Sequence, residues 1–69
     1  MQLEKINEII ELQKCYQICA DILGEIIKLS EKIETTEDEL EIEKIKTKVE
    51  EKTGLYIMQM LKINSIGGK

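Results

Sequence analysis

Between Leu3 and Ile33 the apolar residues return every three or four positions, as Ile9, Leu12, Tyr16, Cys19, Leu23, Ile26 and Ile33, with Ser30 in the remaining slot. That spacing is a heptad-like seam and predicts one long α-helix over 3–34, with no proline or turn cluster to interrupt it. Cys15, Ile18, Ile22 and Leu29 add a second stripe on one flank of this seam, and Ala20 and Ile27 widen the other. From Ile18 to Leu29 the predicted helix is therefore apolar around most of its circumference. One partner helix covers about one stripe, so this stretch calls for two or three neighbours. Gly24 inside the helix costs about 1 kcal/mol relative to Ala, and close approach by a neighbouring backbone is its expected reason.

The periodicity stops at Thr35–Thr36, the predicted turn. Thr36 with Glu39 has the spacing of a capping box, and Glu37 and Asp38 in a first turn complement the helix dipole. A second helix over 37–63 then carries Ile42, Ile45, Val49, Thr53, Tyr56, Met60 and Ile63, joined by Ile57 and Leu61. Gly54 can divide it into a piece ending near Thr53 and another spanning Leu55 to Lys62. A strand reading competes: Lys44 to Val49 alternates with period two, and Lys52-Thr53-Gly54 could turn into Leu55–Ile63 as a β-hairpin. The alternation fails between Ile42 and Ile45, which a helical period accommodates without a bulge, so the helix is the better reading. The tail 64–69, with its closing Gly67-Gly68-Lys69, is expected to be flexible.

These elements make one all-α domain, 1–69, folded as an antiparallel helical hairpin. A chain of this size buries only about 60% of the surface that its unfolded form exposes, and small domains compensate with disulfides, metals or association. Two cysteines and no histidine leave association as the expected route. Once one stripe of each helix is paired, Cys15, Ile18, Ile22, Leu29, Leu55 and Met58 are left as the expected oligomer interface. Two hairpins related by a two-fold axis would close a four-helix bundle, so a homodimer is the simplest expectation. Glu-to-Lys pairs at i, i+4 are absent. The i, i+3 pairs Glu11/Lys14, Glu25/Lys28 and Glu43/Lys46 are worth only a few tenths of a kcal/mol each, which leaves packing to hold the fold.

Charge narrows the partners. Fourteen acids stand against ten lysines, with no arginine, giving a net charge of −4. A nucleic-acid partner needs a basic face, and Arg is its best bidentate reader, so direct nucleic-acid binding is not expected. Tyr16 and Tyr56, the only aromatic residues, are too few for a base-stacking platform. No run approaches a membrane span and no basic-then-apolar leader is present, so a cytoplasmic protein without membrane contact is expected. The abundance of Ile, Lys and Glu fits an AT-rich genome, bacterial or that of a phage, plasmid or archaeal virus.

Three clusters are candidate sites. Cys15 and Cys19, one helical turn apart, could supply half of a Cys₄ zinc site shared with a second chain. Two small side chains packed in a core is the plainer reading, and neither a metal nor a cofactor is expected. The acidic turn, with Glu34, Glu37, Asp38, Glu39 and Glu41 between Glu31 and Glu43, could dock into a basic groove of a protein partner. It could equally be a solvated helix start. Lys44, Lys46 and Lys48 with Tyr56 could hold the phosphates of a nucleotide, or form a polar helix face. With no His and no metal-ligand set, the chain reads as non-enzymatic. The expected function is a small oligomeric interaction module, a regulator or inhibitor of an unidentified protein, and a phage or other mobile element is a plausible encoder. The alternatives are a nucleotide-binding oligomer and a structural coiled-coil part.

Overall fold

The computed structural model describes residues 2–67, which form two helices, α1 (Gln2–Thr35) and α2 (Glu39–Gly67), joined by residues 36–38. They pack antiparallel into a rod of 56 × 15 × 11 Å, an all-α hairpin only one helix thick. The strand reading of 44–63 is overturned, because that whole stretch is helical. Gly54 does not break α2. None of the described residues has a positive φ, and the seam residues Val49 and Tyr56 on either side of the glycine hold both halves against α1.

The turn is built differently from its sequence signature. Thr36 Oγ1 donates to the Lys32 carbonyl at 2.6 Å and Thr35 Oγ1 donates to the same oxygen at 3.2 Å, which satisfies a carbonyl orphaned at the end of α1. With its hydroxyl held by α1, Thr36 does not cap α2. Asp38 does so instead: its Oδ1 accepts from the Leu40 amide at 3.1 Å, and its carbonyl accepts from Ile42 N at 3.0 Å. The connection is therefore 36–38 rather than 35–36. At the other end α2 runs through the expected tail as far as Gly67, because Ile63 is buried and Ile66 packs on the same cluster. Gly68 and Lys69 lie outside the described residues.

The packing seam keeps Leu12, Cys19, Ile26, Ile33, Ile42, Ile45, Val49, Tyr56 and Ile63 of the expected one and differs in the rest. On α1 the side chains turned to α2 are Leu12, Cys15, Cys19, Ile22, Ile26, Leu29 and Ile33, alternating steps of three and four. On α2 they are Ile42, Ile45, Val49, Lys52, Tyr56, Gln59, Ile63 and Ile66, with Met60 at the edge. Cys15 and Ile22, expected at an oligomer interface, are buried inside the hairpin at 2% and 7% exposure, and Leu29 is half-buried there. Tyr16 and Leu23, expected in the seam, stand outside it. The choice follows from α2, whose own stripe is narrow: a helix with one good stripe docks on whichever face of α1 allows both to close. The small thiols leave room for Tyr56, which packs against them.

Among the described residues five apolar side chains are buried, Cys15, Cys19, Ile22, Ile45 and Ile63, while thirteen large ones remain exposed. The accessible surface is 5739 Å². Monomeric globular chains of this mass expose about 4,500 Å², so the hairpin carries roughly 1,200 Å² in excess.

Candidate interaction surface

The two edges of the rod are chemically unlike. One edge is crossed by the two interhelical ion pairs among the described residues, Glu25–Lys52 at 2.8 Å and Glu11–Lys62 at 3.7 Å. Glu11 and Glu25 thus reach for α2, not for the i, i+3 lysines expected to hold them. A shallow hollow on this edge is lined by Glu25, Lys28, Leu29, Lys48, Glu51 and Lys52. Lys32, Glu41, Lys44 and Thr47 extend it toward the turn. Ile18, Leu55 and Met58, from the expected interface, form an apolar island among these charges by their helical positions, and all three are exposed.

The opposite edge is apolar. Stepping one residue on from the seam of α1 gives Ile6, Ile9, Gln13, Tyr16, Ala20, Leu23 and Ile27, a second heptad stripe rotated by about 100° from the first. Ile9, Tyr16, Ile27 and Ile57 are exposed by more than half, and Ile6 and Leu23 nearly so. On α2 the same edge carries Thr53, Ile57, Met60 and Asn64, and Met60 packs against the Cys15–Cys19–Ile63 cluster. Toward the turn the edge becomes polar, with Ser30, Glu34, Glu43, Lys46 and Glu50. The apolar part thus occupies the open two-thirds of the rod. Its signal in the sequence was the second heptad, which the sum of apolar residues hides inside one broad face.

The remaining candidates fall as follows. Glu34, Glu37, Asp38, Glu39 and Glu41 are all exposed at the turn end, where Asp38 caps α2 and Glu41 lies 3.9 Å from Lys44. Lys44 and Lys48 face the charged hollow. Lys46 lies by helical position on the other edge, and Tyr56 is half-buried in the seam against the thiols. The four residues proposed to hold a phosphate are therefore not brought together. Cys15 and Cys19 are free thiols turned toward their own α2, so they do not present a half-site to a second chain. Among the described residues no group of three or more His, Cys, Asp or Glu side chains is placed to hold a metal ion. Gln59 sits in the seam with its buried Oε1 unpaired. Gly24 and Gly54 lie on the outer faces with nothing within 4 Å of an added Cβ, so among the described residues no neighbouring backbone approaches Gly24. No described helix is long and apolar enough to cross a membrane.

Comparison with protein families, with characterised proteins and with solved structures finds no match to this chain.

Proposed function

We propose that this chain is a non-enzymatic protein–protein interaction module, a small helical regulator or inhibitor that acts by laying its apolar edge against other helices. The observation that carries this reading is the second heptad stripe, Ile6 to Ile27 with Ile57, left uncovered by the hairpin and bordered by the half-buried Met60. Scattered exposed apolar residues need no explanation, but a contiguous stripe of this length marks an interface. Helix-in-groove recognition reads such a face through anchors at i, i+3, i+4 and i+7, the spacing found here.

Catalysis has no part in the reading. Every described carboxylate is exposed, whereas a general acid or base needs a pocket that tunes it, and the thiols are enclosed in the seam. The nucleotide alternative loses support from the separation of Lys46 and Tyr56 from Lys44 and Lys48. The acidic turn stays as a second contact that a basic partner could use, and a purely structural assembly part would need only the apolar edge.

The test is affinity capture from lysate of the cells that make the protein, comparing three baits. Wild type and a turn-reversed variant, Glu34→Lys with Glu37→Lys, are expected to retain the same proteins. A Leu23→Glu with Ile57→Glu variant, verified as helical, is expected to lose them. Equal retention by the edge variant would sink the reading, and loss by the turn variant alone would transfer it to the acidic turn.

A further inference from the structure

Resting on the interaction-module reading, we infer that in the absence of its protein partner the apolar edge is closed by a second copy of this chain. The two hairpins stack edge to edge in a two-fold bundle whose axis crosses both rods at the level of Tyr16 and Met58, with the two turns at opposite ends. The stripe on α1 is a near-palindrome about the midpoint between Tyr16 and Gln17: Ile6, Ile9, Gln13, Tyr16, Ala20, Leu23, Ile27. An axis through that point sets Ile6 against the partner's Ile27 and the long Gln13 over the partner's Ala20, with Ile9 one residue, about 1.5 Å, out of register from the partner's Leu23.

The edge of α2 has a centre of its own. Ile57 and Met60 straddle the midpoint between Met58 and Gln59, flanked symmetrically by Thr53 and Asn64. The cross-helix ion pairs Glu11–Lys62 and Glu25–Lys52 fix the register of the hairpin, and interpolating between them puts Tyr16–Gln17 level with Met58. Both stripes are thus centred at one height of the rod, which a single two-fold axis requires. Neither stripe alone demands this coincidence.

Area and charge agree with the arrangement. A standard interface buries about 800 Å² per partner, and the excess surface of this hairpin over a globular chain is roughly 1,200 Å². The other edge is an unsuitable joint, because closing it would desolvate Glu11, Glu25, Lys52 and Lys62. A two-fold axis parallel to the rods would also join the apolar edges, but it would bring the acidic segments 31–43 of both copies side by side. The crossing axis sets the turns about 60 Å apart along the bundle, far beyond the screening length in physiological salt.

Sedimentation equilibrium or light scattering on purified protein, followed by photo-crosslinking from a benzophenone amino acid at Gln13, tests this. Wild type is expected at twice the chain mass of 8.0 kDa. Leu23→Glu, and separately Ile57→Lys, are expected to raise the dimer dissociation constant on the order of 100-fold, because each places a charge in the joint of both copies. Both positions are exposed in the single hairpin, so helicity should be kept, and Ile18→Glu on the charged edge should leave the dimer intact. The crosslink is expected within the partner's α1 near Ala20. A crosslink to the partner's 57–64 would overturn the crossing axis, and dissociation by Ile18→Glu alone would overturn the edge. A monomeric wild type at 100-micromolar order would overturn the dimer, while edge-dependent capture of other proteins would still uphold the module.

Discussion

Replacing Gly54 with alanine asks whether α2 is one helix or two. Gly54 is exposed near the middle of α2, its φ is not positive, and a Cβ built there meets nothing within 4 Å. No packing or strain term therefore enters. What remains is the difference in helix propensity, about 1 kcal/mol in favour of Ala, which arises largely from the freedom that glycine keeps in the unfolded chain. For a domain of 60–100 residues that corresponds to a rise in Tm of about 4–8 °C. The assay is thermal and urea unfolding followed by far-UV circular dichroism, at matched protein concentration because association makes Tm depend on concentration. The urea midpoint should rise with the m-value unchanged. A lowered Tm, or a changed m-value, would mean that Gly54 serves as a joint and that α2 is not continuous. Gly24→Ala, equally open within the chain, should stabilise by a similar amount and add to the first.

Further substitutions at Asp38, Thr36, Cys15 and Lys52 probe the turn and the seam. Asp38→Ala removes the cap on Leu40 N and should cost about 1 kcal/mol in urea unfolding, more than Thr36→Val. The reverse order would restore the Thr36–Glu39 capping box. Cys15→Ser puts a hydroxyl without a partner at the most buried position and should cost about 1–3 kcal/mol, with Cys15→Ala nearer the lower figure; a neutral serine would show that the site is wet. Lys52→Met at a seam position should leave stability unchanged or raise it, and should flatten the salt dependence, because the half-exposed pair with Glu25 is worth about 0–1 kcal/mol. A loss above about 2 kcal/mol would make that pair a structural requirement.

Helix type, hairpin order and the region of the turn could be read from the chain because each rests on strong local signals: unbroken three–four spacing, two adjacent threonines, and a run of acids at a helix start. The seam could not. In α1 the large residues Tyr16 and Leu23 outweigh Cys15 on any hydrophobic count, yet it is the thiol that lies inside. Which of two heptads a helix buries depends on the partner's shape, and α2 brings Lys52 and Gln59 into its own stripe, where a sequence reading prefers Thr53 and Met60. The cap was misplaced for a related reason. Thr36 is a fair N-cap by type, but its hydroxyl is close enough to finish α1 first, and Asp38 is left to begin α2. Of the expected interface, Ile18, Leu55 and Met58 are exposed but sit among ion pairs, a grouping that only the three-dimensional register reveals.

The one-layer rod with a short turn at one end also dictates an order of assembly. Cross-helix neighbours near the turn, such as Ile33 and Ile42, are close in the chain, whereas Glu11 and Lys62 at the far end are joined by nearly its whole length. Direct closure at the far end would carry the full loop entropy, but closure that advances from the Asp38 turn adds it in small steps. The hairpin should therefore zip from the turn and fray from the other end, with amide protection falling along both helices in that direction. Ile63, Cys15 and Cys19 lie toward the fraying end, so a partial opening would bare these thiols to solvent and oxidant while Ile22 and Ile45 stay covered.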